Sequence, residues 1–171
     1  AQCLVGSEMC IRDSLLDEAS QDDVLVLENV HFESRSDGLI NGNVIGLSDR
    51  LETSIEKACT TAEEMGHFHT TVGNILDPTK TKNRKQENIA RLWAFNRMIT
   101  LDKLISAWET GCRNRYEIAE HLEVTEAFLQ EAIDSYRSKI GISIVHGNHL
   151  ITFEPTFNIR RLVWMQVLTE G

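Results

Sequence analysis

Three side chains within TTAEEMGHFHTT (residues 60–71) have types and spacing that could do chemistry together. Glu63 and His67 stand four apart, with Glu64 beside the first. On an α-helix, residues i and i+4 lie one above the other on the same face. One metal ion could therefore be gripped by both. Glu64 sits about 100° further round, where its carboxylate could approach water on that ion. The frame is that of H-E-x-x-H, in which two histidines bind metal and the glutamate is a general base. Here the first ligand position is Glu63, giving E-E-x-x-H. A carboxylate in place of a neutral imidazole makes the site harder and more anionic, which shifts preference from Zn toward Mn or Fe.

A metal site built this way needs a third protein ligand. Glu87, 20 residues after His67, is the best-placed candidate. It opens ENIARLWA, of pattern E-x-x-A-x-x-aromatic-A, whose small residues allow one helix to lie close to another. Glu87 could equally pair with Arg91 as an i,i+4 ion pair. His69 is roughly 200° round the helix from His67. It is expected at most to support the site from beside it, and more simply to be a surface residue. His31, His121, His146 and His149 have no ligand-like spacing and read as surface residues.

These candidates need two helices to hold them. Residues 52–70 read as one helix, with Ile55, Ala58, Cys59, Ala62 and Met65 forming an apolar face at three- and four-residue steps. Residues 71–83, with Gly73, Asn74, Asp77 and Pro78, read as a link. A second helix over 84–98 is expected to bury Ile89, Leu92, Trp93, Phe95 and Ile99, with Ala90 and Ala94 allowing close packing. An antiparallel pair of this kind would bring Glu87 to the face that holds Glu63 and His67. Before them, LLDEAS ends a helix, residues 24–32 read as a strand, and residues 38–47 read as a hairpin around Asn41-Gly42-Asn43. After them come a helix over 101–109 capped by Thr100, a helix over 115–122, and a longer helix over 125–139 capped by Thr125. A hairpin over 141–155 turns at Gly147-Asn148, and the tail from Thr156 reads as irregular or a short strand and helix.

Composition bounds the class. With 42% apolar and 25% charged residues in a 171-residue chain, a soluble globular protein with a real core is expected. No apolar run is long enough to span a bilayer. Cys3, Cys10, Cys59 and Cys112 lack paired spacing, which argues for reduced thiols in a cytoplasm; Cys59 reads as a small buried apolar residue. The net charge of −9 disfavours generic nucleic-acid binding. Residues 80–115 nevertheless hold nine of the 17 Lys and Arg against three acids, and a solvated helix surface is the simplest account. The string VGSEMCIRDS reads like translated sequencing-adapter sequence. Residues 1–13 are therefore set aside as a non-native or disordered leader, with the native N-terminus missing.

In AEEMGHFHT, ENIARLWAF, TTVGNILD, NRKQE and CRNRYEIAEHLEVTEAFLQEAIDSYRSK, the chain resembles the ImmA/IrrE-type metallo-endopeptidases of bacteria and their mobile elements. The resemblance covers roughly residues 14–155. It implies an α+β fold: a mainly helical, zincin-like metallopeptidase domain (14–100) with a small N-terminal antiparallel sheet. A helical, helix-turn-helix-like subdomain with a β-hairpin (101–155) and a tail (156–171) would follow. It implies that Glu63, His67 and Glu87 hold one divalent metal, Zn first and Mn or Fe as alternatives, with Glu64 as general base. The implied substrate is a protein, a phage-type repressor that is itself a helix-turn-helix protein; no membrane and no nucleic acid is expected as partner. The alternative is a catalytically inactive binding or regulatory protein on the same scaffold. In one form it would bind DNA through a winged-helix-like C-terminal part, which the acids Glu126, Glu131 and Asp134 on the 125–139 helix disfavour.

Overall fold

A computed structural model describes residues 11–70 and 84–163. The fold is α+β. Helix α1 (Ile11–Gln21) leads into β1 (Leu25–Val30), β2 (Gly38–Asn41) and β3 (Val44–Ser48). Helices α2 (Ser54–Thr70), α3 (Arg84–Met98), α4 (Leu101–Glu109), α5 (Arg115–His121) and α6 (Glu126–Ile140) follow. Strands β4 (Ser143–His146), β5 (His149–Thr152) and β6 (Asn158–Arg161) close the described chain. Helix α1 takes in Ile11–Asp13 of the presumed leader; the rest of that leader, the link over 71–83 and the chain after 163 lie outside the described residues.

The first sheet corrects one expectation. Its order is β1-β3-β2, with β2 antiparallel to β3 but β1 parallel to it, so the sheet is mixed rather than antiparallel. The hairpin forms as expected, Asn41 pairing with Val44 across Gly42-Asn43. The seven residues from His31 to Asp37 are long enough to carry the chain past the slot that β3 fills, about 10 Å for two strand spacings. Sequence neighbours β1 and β2 therefore do not pair. In the second sheet, β5 lies between β4 and β6, both antiparallel to it. The tail thus supplies a short strand.

Helix starts follow their caps. Thr53 and Glu56 form a capping box before α2: the Thr53 hydroxyl accepts from Glu56 N at 3.1 Å, and Glu56 accepts from Thr53 N at 2.9 Å. Thr100 and Thr125 cap α4 and α6, each accepting from the amide three residues on. Helix α2 is central to two apolar clusters. Met65 faces the first sheet with Ile45, Leu47 and Val24. Ala58, Cys59 and Ala62 face a larger cluster that runs through α3, α4, α5 and α6 to Ile151, Phe153 and Ile159 of the second sheet region.

Two buried faces differ from expectation. Phe95 of α3 and Ile99 just past it are buried, but Leu92 and Trp93 are only half-buried and Ile89 is 41% exposed. The helix packs along Ala90, Ala94 and Met98, each fully buried, and this stripe turns Ile89 outward. His149 is not a surface residue: it is 4% exposed, edge-on to Trp108 with ring centroids 5.5 Å apart. It shares the inward face of its strand with Ile151, and the alternation continues to the buried Phe153 just past the strand's end. His31 and His121 are exposed, and His146, partly exposed, contacts Asp102 at 2.8 Å.

Candidate metal centre and active site

The site is made by how closely α2 and α3 approach. Gly66 is the reason they can. A Cβ there would lie 2.3 Å from the carbonyl oxygen of Ala90, well inside van der Waals contact. With hydrogen at position 66 and methyls at 90 and 94, the two backbones nearly touch. The same stripe of α3 that holds Ala90 and Ala94 begins, one turn earlier, with Glu87. Glu87 is thereby delivered to α2, and its Oε2 lies 3.3 Å from His67 Nε2.

The other glutamate oxygen is engaged as well. Arg91 Nε donates to Glu87 Oε1 at 3.3 Å, and Arg91 Nη1 donates to Glu131 Oε2 of α6 at 2.5 Å. Glu87 therefore contacts both His67 and Arg91. Glu63, Glu64, His67 and Glu87 all line one cleft of about 410 Å³, bordered by Gly38 of β2 and by Phe128 and Glu131 of α6. Glu64 and His67 are buried, at 5% and 7% exposure. Gly38 fits tightly over Glu64: a Cβ at position 38 would be 2.9 Å from the glutamate's Cγ and Oε1.

His69 is turned elsewhere. Its Nε2 is 3.2 Å from Asp22, and its ring stacks on Trp93 with centroids 4.6 Å apart. The residues missed from sequence are Arg91 as a cleft cation and Glu131 as its anchor. Arg91 was visible as the i+4 partner of Glu87. Glu131 lies 40 residues further on, and no local pattern announces it.

The electrostatics suit a cation. Burial pushes the Glu63 carboxyl up to about 7; Arg91 pulls it down, while Glu131, Glu64 and Glu87 push it further up. Carboxylates crowded into a partly dry cleft resist ionising together, and a divalent cation relieves that repulsion. The donor chemistry, one imidazole among carboxylates, suits Zn, Mn or Fe. The convergence is partial. His67 and Glu87 are in contact, but among the described residues no three His, Cys, Asp or Glu side chains come together closely enough to hold a metal ion.

A helix bearing E-E-x-x-H, a second helix returning a glutamate to its histidine, and a strand laid over the motif share one cleft. The family model described as the IrrE N-terminal-like domain, of a peptidase family, matches residues 16–134. The chain belongs to that family, the ImmA/IrrE group of metallopeptidases. No curated protein matches the chain. No solved structure matches it. Membership implies peptide-bond hydrolysis, a divalent metal and a protein substrate. No helix among the described residues is long and apolar enough to cross a membrane.

Proposed function

We propose that this protein is a cytoplasmic, metal-dependent endopeptidase whose substrate is a helix-turn-helix repressor of a prophage or mobile element. His67 and Glu87 would hold one divalent metal, with Glu63 as the third protein ligand. Zn is the first choice, with Mn or Fe as alternatives. The observation that carries this reading is the 3.3 Å contact of His67 with Glu87 across a helix seam that only Gly66 permits. When bound, the metal would supply a Lewis acid that polarises the scissile carbonyl and acidifies water.

The rest falls to the chain. Glu64, one step round the helix from Glu63, would take the proton of the attacking water and return it to the leaving amine. The cleft wall formed by β2 and the Gly38 segment keeps that carboxylate buried and oriented. Arg91, held by Glu131, would steady Glu87. The repressor as substrate is supported by the prophage-type character of the sequence blocks.

Metal analysis of purified protein tests the reading first: about one equivalent is expected, absent in Glu87→Ala. A protein that takes up no metal under any loading condition would overturn it. Incubation with the product of the neighbouring repressor gene tests the substrate. Site-specific cleavage is expected, abolished by Glu64→Gln; cleavage that survives this change would remove Glu64 as the base. A second reading, an inactive regulatory protein on the same scaffold, draws on one observation: Glu87 is shared with Arg91, and no third donor joins it among the described residues.

A further inference from the structure

A second cavity, of about 470 Å³, opens on a neighbouring face of α6. The catalytic cleft uses Phe128 and Glu131 of that helix, whereas this cavity uses Gln130, Asp134 and Arg137, roughly 120° round. Its charge is the reverse of the chain's. Arg113, Arg115 and Arg137 line it, with Asp134 as the one acid among the lining residues, in a protein of net charge −9.

The three guanidinium groups are held differently. Arg115 is committed, to Glu126 at 3.3 Å and Gln130 at 2.6 Å. Arg113 is steadied without a carboxylate on its guanidinium: Nη1 donates to the carbonyls of Trp108 and Cys112 at 2.5 and 3.0 Å, and the group lies 5.0 Å over the Trp108 ring. Among the described residues no carboxylate pairs directly with its guanidinium, although the carboxyl of nearby Glu117, which accepts from Arg113 N at 2.7 Å, is pulled down by that bond and in part by the guanidinium charge. Arg137 reaches Asp134 and Glu154 only at 4.0 Å each, beyond hydrogen-bond distance. Its fork is loosely paired with two carboxylates and free to exchange those long contacts for hydrogen bonds to an anion.

The cavity also has an apolar wall, formed mainly by the half-buried Phe157 with the 5%-exposed edge of Phe153 beside it. Phe153 and Phe157 lie with centroids 6.3 Å apart and planes at 35°, and Tyr136 stacks behind Phe153 at 6.0 Å. A bare inorganic anion would not use this wall, and a neutral ring would not use the arginines. We propose that this cavity binds a small organic anion: a carboxylate or phosphomonoester carried on an aromatic ring. The ring lies against Phe157 and the edge of Phe153, and the anionic oxygens take the donors of Arg137 with Arg113 alongside. The size fits, since sites for small ligands run from about 300 to 1,000 Å³.

The test is a titration of the full, isotope-labelled chain followed by amide NMR shifts, with phenyl phosphate, benzoate, inorganic phosphate and benzyl alcohol as probes. Phenyl phosphate or benzoate should give saturable shifts centred on residues 113–118, 130–137 and 153–157. The stronger of the two tells a phosphate ligand from a carboxylate. Inorganic phosphate and benzyl alcohol should each bind more weakly. Arg137→Gln should weaken the aromatic anion about tenfold, the loss of one charge-assisted contact. Arg137→Lys keeps the charge but loses the fork, so it should weaken binding several-fold and serves if the glutamine variant fails to fold. Absence of a saturable response to either aromatic anion would overturn the proposal. So would shifts centred on the catalytic cleft, benzyl alcohol binding as tightly as the anions, or affinity unchanged in both Arg137 variants.

Discussion

Helix α6 borders two cavities of opposite character. The cleft on one side gathers Asp37, Glu56, Glu63, Glu64, Glu87 and Glu131 around a single arginine, Arg91. The cavity on the other gathers three arginines around a single aspartate. Each holds one charge of the wrong sign for its surroundings. Arg91 is clamped between Glu87 and Glu131; Asp134 lies 4.0 Å from Arg137. The sorting of charge in space cuts across its sorting along the chain. Arg91 belongs to the basic stretch 80–115, yet it stands in the acidic cleft; Asp134 belongs to an acidic helix, yet it stands among arginines. Groups forced together against their own repulsion are a signature of sites built for a counter-ion.

The largest effect expected is at the acidic cleft. A metal bound there stabilises the folded chain by about 4 kcal/mol at a thousandfold excess over Kd. Glu87→Ala should abolish that gain, while Arg137→Gln should leave it intact. Thermal unfolding with and without metal reads the difference, and a metal-induced gain that survives Glu87→Ala would break the contrast. Next comes Gly66→Ala. Its new methyl would stand 2.3 Å from Ala90 O, backbone that cannot step aside without parting the helices. A loss of about 2–3 kcal/mol is expected, seen as a fall in Tm of roughly 5–10 °C. Gly38→Ala meets only side-chain atoms, of Thr60 and Glu64, and should cost less. If the two alanines cost the same, the helix seam is not what delivers Glu87.

The seam also explains what was legible in the sequence. Glu63, Glu64, His67 and Glu87 could be picked out because helical periodicity puts the first three on one turn, and because ENIARLWA announces a close-packing stripe. The same stripe was misread in detail, since counting Ile89 as core assumed that the bulkiest residues face inward. Here the smallest do, and the apolar side chain beside them is turned to solvent. His149 was missed for a related reason: its neighbours two and four residues on are Ile151 and Phe153, so alternation placed it inside, whereas its residue type suggested the surface. The parallel pairing of β1 with β3 depends on where a seven-residue connection runs, which no local pattern encodes. Arg91 to Glu131, and the three arginines meeting Phe153 and Phe157, are contacts between distant segments.

A smaller effect follows from the clamp between α3 and α6. Arg91 and Glu131 are 38% and 47% exposed, so Glu131→Gln should cost less than about 1 kcal/mol of stability. Urea unfolding checks this, and a larger loss would mean that the ion pair, rather than apolar packing, holds α6 against the cleft.

The finest probe of the contrast is a thiol. Cys59 lines the acidic cleft, and Cys112 directly precedes Arg113, which lines the basic cavity. Both are free thiols, Cys59 buried and Cys112 partly exposed. Burial pushes the Cys59 thiol up to about 11 from 9.0; contacts with Thr125 pull it down by less, and Glu63 and Glu56 push in the same direction as burial. The thiolate is the reactive form. At pH 8 its share at Cys59 is about a hundredfold below that of a thiol at the reference value. Burial and this low thiolate share should keep Cys59 intact toward iodoacetamide while the more exposed Cys112 is modified, as peptide mapping would show. The sign with pH is fixed: each unit of rise should speed Cys59 about tenfold until about pH 11, provided the fold holds. Glu63→Gln removes one of the charges opposing the thiolate and should raise the Cys59 rate roughly two- to threefold, a through-space effect of one partly screened charge. Arg137→Gln, around the helix, should leave that rate unchanged. Equal rates for the two cysteines at pH 8, or a Cys59 rate that follows Arg137 rather than Glu63, would show that the two cavities do not hold separate fields.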